Sequence, residues 1–231
     1  MKNMLKPAAG MMAGVLILAG CGSPDPEAQG TAMAHMRQLV AQRMAGGAGA
    51  TPPAPALSAD EMAARALAAN PAPLILVSME SSGISQVMAM TGENGAMRTY
   101  MTPNMQAVIL TGGIVTGTKG LGHDLSTAEV DASAALIHAR RGGQAARTNR
   151  YLSGDGLERP LPMTCAVATG QPQSFAFAGT GWNATQVTET CRAGAAEIQN
   201  SYLVTASGQI PVSRQWIGPQ LGYVTIQVIR P

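Results

Sequence analysis

The chain has 231 residues, 46% of them hydrophobic, enough for one sizeable domain or two small ones, which excludes a wholly disordered protein. Fifteen basic residues stand against 13 acidic ones, but Lys2 and Lys6 lie in the leading segment, and the other 13 basic residues balance the acids. A neutral chain without basic clusters speaks against nucleic acid as a partner and against adsorption on anionic lipid.

Residues 1–20 carry the parts of a secretory signal: Lys2 and Lys6, an apolar stretch from Ala8 to Leu18, and small residues before a cut. The stretch is too short to span a membrane as a helix, which takes roughly 20 apolar residues. Leu18-Ala19-Gly20-Cys21 resembles a bacterial lipobox. That resemblance implies a diacylglycerol on the Cys21 sulfur, cleavage before it and acylation of the new amino terminus. Two or three acyl chains hold a protein where one holds it marginally. Gly22 stands where lipoproteins retained in the inner membrane carry Asp, so the implied destination is the outer membrane, lipid-anchored and facing the periplasm. The alternative is an ordinary signal peptide with a chance cysteine.

Residues 21–72 read as a lipidated cysteine followed by a flexible, partly helical tether, rich in Ala, Gly, Pro and Met. Two pieces have helical spacing. Ala32 to Met44 places Met33, Met36, Val40 and Met44 on one face, with His35 facing solvent; "SADEMAARALAAN" opens with Ser58 as N-cap and Glu61 as its capping-box partner.

Residues 73–231 read as a single β-rich domain. Runs such as "LILVSME", "ISQVMAM", "AMRTYM" and "QAVIL" are broken by the turn signals "TGENG" and "TPN", and similar runs continue to "YVTIQVI". Val224, Ile226 and Val228 alternate with Thr225 and Gln227, the period of a strand buried on one face. "DLSTAEVDASAALIHARRGG" predicts a helix capped by Ser126 with Glu129 and stopped at Gly142. The predicted fold is mainly β: an antiparallel sandwich or partly open barrel with one or two helices, preceded by the tether.

With Cys21 lipidated, Cys165 and Cys191 remain as an even pair in an oxidising compartment, which predicts a disulfide in preference to two free buried thiols. Closing that loop is worth about 3.5 kcal/mol in the chain-entropy model. Closely spaced metal-ligand pairs such as CxxC are absent from the sequence, and neither a metal nor a cofactor is predicted.

"GIVTGTKGLGHDL" (Gly113 to Leu125), "VTETC", "NSYLV", "GQIPVSRQWIGPQLGYVTIQVIRP" and the lipobox together resemble the YjbF/GfcB family of bacterial lipoproteins associated with group 4 capsule and related exopolysaccharides. The resemblance runs from Pro73 to Pro231. It implies an outer-membrane lipoprotein working beside an outer-membrane β-barrel and a soluble periplasmic export protein, with the polysaccharide itself a further candidate partner. It brings no catalytic residues. Gly120, Leu121, Asp124, Leu125, Glu189, Cys191, Asn200, Tyr202, Ser213, Gln215 and Trp216 lie in its motifs, as does Arg214, and are candidates for structure or recognition.

His123 and Asp124 could act as an acid/base pair, yet Asp124 or Ser126 capping the next helix accounts for both residue types. Glu189, two positions before Cys191 and on its face, could pair with Arg214 or face a ligand. A glycoside hydrolase needs a second carboxylate at a set distance, and no spacing selects among Asp124, Asp131 and Asp155. Trp216 and, less so, Trp182 could stack on sugar, although large aromatics in β domains usually fill cores. Gly112-Gly113 and Gly117 to Gly122 lack the order of a phosphate-binding loop and read as turns. The expected function is a non-enzymatic accessory lipoprotein of exopolysaccharide export; the alternatives are a periplasmic polysaccharide-modifying enzyme and a purely structural envelope lipoprotein.

Overall fold

The computed structural model describes residues 57–231. Cys21, the signal segment, His35 and the helix read over Ala32 to Met44 lie outside them.

Helix α1 (Ala59–Ala69) starts at the capping box: the Glu61 amide donates to Ser58 Oγ (3.2 Å) and the Ser58 amide to Glu61 Oε2 (2.8 Å). The helix lies on the sheet rather than in a tether. Ala63 packs with Leu74, Leu76, Phe177 and Ile229, so the folded unit begins ahead of residue 73. Strand β1 (Leu74–Met79) explains why. Ile75 and Val77 point into the main core while Leu74 and Leu76 point outward, and an apolar run on both faces of a strand needs cover on both.

The remaining strands are β2 (Ile84–Asn94), β3 (Met97–Met101), β4 (Ala107–Thr111), β5 (Ile114–Lys119), β6 (Leu125–Glu129), β7 (Gly143–Leu152), β8 (Glu158–Phe177), β9 (Thr180–Ala193), β10 (Ala196–Thr205), β11 (Val212–Gly218) and β12 (Gly222–Arg230). All pairings are antiparallel, in the order β5-β4-β3-β2-β1-β12-β11-β10-β9-β8-β7-β6. Two meanders meet where β1 pairs with β12, Ile75 opposite Val228. The outermost strands, β5 and β6, are consecutive in sequence, and their short connection lays them side by side. The result is the partly open barrel, not the sandwich. A Cβ on Gly117 would stand 3.2 Å from Ile109 Cδ1 and 3.6 Å from the carbonyls of Leu125 and Ser126, so this glycine lies in β5 at the seam instead of in a turn.

The helix predicted from Ser126 is corrected. Residues 125–129 are strand β6, and helix α2 covers only Asp131–His138, with Val130 as an N-cap whose side chain makes no capping bond. Leu125 and Ala128 turn inward against the core, and pairing with β7 outweighs the local capping signal. The stop also comes earlier than Gly142: Arg140 takes a left-handed conformation (φ 52°), and the Arg141 amide donates to the Leu136 carbonyl (2.9 Å). Likewise "TGENG" is mostly strand, with the turn confined to Gly95 and Ala96.

Candidate functional site

The alternation of β7, β9, β10 and β11 points a set of polar side chains into the barrel. Glu189 on β9 faces Asn200 on β10 across the ladder. Its Oε2 accepts from Asn200 Nδ2 (2.8 Å), Tyr202 OH (2.9 Å) and Arg147 Nη1 (2.9 Å). Arg147 Nε reaches Asn149 Oδ1 (3.3 Å), and Asn149 Nδ2 reaches the Tyr151 hydroxyl (3.1 Å). Arg147 is 2% exposed and Glu189 fully buried, so each charge depends on the other. Burial, reinforced by the Glu189 carboxylate, pushes the Tyr202 hydroxyl far above the ordinary tyrosine range, which keeps it a donor. Glu189 Oε1 and Arg147 Nη2 have no partner among the described residues.

Arg214, offered by the sequence as the partner of Glu189, points to the other face of the sheet. It binds Glu80 through Nε and Nη2 (2.6 and 2.7 Å) and lies 3.5 Å over the Tyr223 ring. Cys165 and Cys191 are directly opposed on β8 and β9 and form a disulfide, buried with Met163 and Ile198. Both sulfurs lie close to the Glu189 carboxylate, but bonded to each other they are not thiolate ligands for a metal.

The other motif residues also act inside the fold. Gln215 crosses the barrel from β11: its Oε1 accepts from the Val115 amide (2.9 Å), and its Nε2 donates to the Gly113 carbonyl (3.0 Å) and Ser213 Oγ (2.9 Å). Trp216, half-buried, meets Tyr151 edge-on at 6.4 Å, and its amide donates to Asn200 Oδ1 (2.8 Å). Asp124 caps no helix. Its carboxylate accepts from Thr118 Oγ1 (2.9 Å) and the amides of Gly120 (2.8 Å) and Leu121 (3.0 Å), fixing the β5–β6 turn. Gly120 (φ 77°) is required there, since a Cβ would come within 2.9 Å of the Met105 carbonyl. Leu121 is half-buried against the core, and His123 is exposed.

A separate feature lies at the end of the barrel formed by the β2–β3, β4–β5 and β10–β11 connections. Strand β8 is 20 residues long and shifts register between Thr169 and Pro172. Beyond that shift the β8–β9 hairpin reaches across the opening to α1, where Phe177 packs and the Ala178 amide donates to Asp60 Oδ1 (3.4 Å). Beneath it is a cavity of about 320 Å³, with Trp182 on the hairpin side, Ile75 and Val228 on the barrel side, and the Glu93–Arg98 ion pair (2.7 Å) and His138 at the edge. Gly112 (φ 59°) and Gly113 (φ 90°) form one wall; a Cβ on Gly112 would lie 2.8 Å from His138 Nε2. Sequence reasoning named Trp182 and the glycine pair but attached no role to Glu93, Arg98 or His138. The long strand β8 of that hairpin shows in the sequence only as the two separate runs "MTCAVAT" and "SFAFAG".

The family model described as "Group 4 capsule polysaccharide lipoprotein gfcB, YjbF" matches residues 54–229. Among solved structures, the chain resembles the hypothetical lipoprotein YmcC from Escherichia coli (K12), with a TM-score of 0.64, 16% identity, and coverage of 73% of this chain and 89% of that one. That likeness establishes a shared fold. Comparison with curated protein sequences finds no match. With three quarters of its length matched by one family model and its barrel shared with a hypothetical lipoprotein, the chain belongs to the YjbF family of group 4 capsule polysaccharide lipoproteins.

Proposed function

We propose that the chain is an outer-membrane lipoprotein, anchored through Cys21 and facing the periplasm, that serves exopolysaccharide export as a non-enzymatic accessory factor. It works by binding, with an outer-membrane β-barrel, a soluble periplasmic export protein and the polymer as the partners. The observation that carries this reading is the use the fold makes of its motif carboxylates. Asp124 is taken up by three donors in a turn, and Glu189 by three donors inside the core. A hydrolase needs a carboxyl free to exchange a proton with a bound sugar, and these two are engaged elsewhere.

Gene deletion with complementation tests it. Deletion is expected to lower secreted and surface polysaccharide, with restoration by the wild type and by Asp124→Asn. Unchanged polysaccharide in the deletion strain would refute the export role, and failure of a folded Asp124→Asn protein to complement would favour the enzyme. For the anchor, Cys21→Ala is expected to leave the outer-membrane fraction, and its continued partitioning there would remove that part of the reading.

A further inference from the structure

We propose that the cavity beneath the β8–β9 hairpin is a saccharide-binding site that takes one or two neutral sugar residues of a polymer, with Trp182 as its stacking platform. This rests on the export reading above and assigns it a place on the molecule. Sugar rings are amphipathic: their C–H faces lie on an aromatic plane, and their hydroxyls need donors and acceptors around the edge.

The cavity supplies both. At about 320 Å³ it lies at the small end of ligand pockets, suited to one or two rings and not to a folded peptide segment. Trp182 lines the cavity, and its Nε1 is buried without an acceptor among the described residues. His138 donates from Nδ1 to the Gly208 carbonyl (2.8 Å), which leaves Nε2 of the neutral ring as an acceptor beside Gly112. Arg98 is neutralised by Glu93 at 2.7 Å, so the edge offers hydrogen bonds rather than net positive charge. That balance favours a neutral sugar over an acidic one. Because the hairpin spans the opening while the cavity stays open beside it, a chain can be held at one or two residues as the rest of the polymer passes outside.

The full chain, purified in detergent, is titrated with exopolysaccharide from its own strain and with oligosaccharides made from it by mild acid hydrolysis. Binding is read by calorimetry and by tryptophan fluorescence. With Trp216→Phe in the background, Trp182 is the only emitter, since the chain has two tryptophans. We expect saturable quenching and a blue shift. Trp182→Ala is expected to weaken binding by at least about tenfold. Ala96→Trp, which fills the mouth from an exposed turn, is expected to abolish it with the thermal midpoint unchanged. Undiminished affinity in both variants would overturn the site while leaving the export role intact. No binding by wild type at millimolar oligosaccharide would overturn it as well, and the deletion phenotype then judges the export reading separately. Tighter binding of acidic than of neutral fragments would overturn the assignment to a neutral sugar.

Discussion

Glu189 Oε2 collects three donors inside the core, and Arg147 is the only cation among them. Removing that cation alone strands a carboxylate in the core, and the loss of one partner of a buried pair costs about 3–5 kcal/mol. Arg147→Met is therefore expected to lower the urea unfolding free energy by about that amount. Arg147→Met with Glu189→Gln keeps an acceptor for Asn200 and Tyr202 without the charge, and should recover most of the loss. A single variant as stable as wild type would contradict the pairing. The contrast is Arg214–Glu80, whose side chains are each 40% exposed. Pairs of that kind contribute about 0–1 kcal/mol. At this scale the sequence identified Glu189 as unusual but chose the wrong arginine, because "GGQAARTNRYL" has polar residues at inward positions and so lacks the apolar alternation of a strand. Only the strand register brings Arg147 to it.

Among the elements, α1 was placed by its cap and misplaced in its role. The Ser58–Glu61 box is a local signal and holds, whereas docking depends on Leu74, Leu76, Phe177 and Ile229 converging from three strands. Strand β1 hints at this in advance, since its unbroken apolar run has two faces to cover. A chain beginning at residue 57 is expected to keep the thermal midpoint of the longer protein. One beginning at residue 73 should lose on the order of 5 kcal/mol, from the apolar side chains it bares, and should bind a hydrophobic dye. Equal melting curves for the two would show that the helix is not part of the fold. Helix α2 is the opposite case: Ser126 and Glu129 carry a valid capping signal that pairing with β7 overrides.

Across the whole molecule, a side chain ties the outermost strand β5 to the opposite wall of the barrel. The Val115 amide and Gly113 carbonyl, at the start of the outermost strand β5, are satisfied from the far side by Gln215. Gln215→Leu fits the volume but orphans both groups, which is expected to cost about 2–4 kcal/mol and to raise hydrogen exchange first in β5. Protection of the Val115 amide unchanged in that variant would show that Gln215 does not hold β5. The β1–β12 ladder sets the register of the two meanders, and Gln215 adds a tie between them across the barrel.

The sequence by itself determined the strand-rich class, the α1 cap, the pair of cysteines left once Cys21 is set aside, and the family, because each depends on residues near one another in the chain or on motif order. Tertiary structure alone decided between the sandwich and the partly open barrel, that the motif residues are internal ties, and that Trp182, His138, Glu93 and Arg98 share a cavity. Those facts depend on strand register and on a hairpin crossing the barrel, which bring together residues far apart in sequence and leave no local pattern to read.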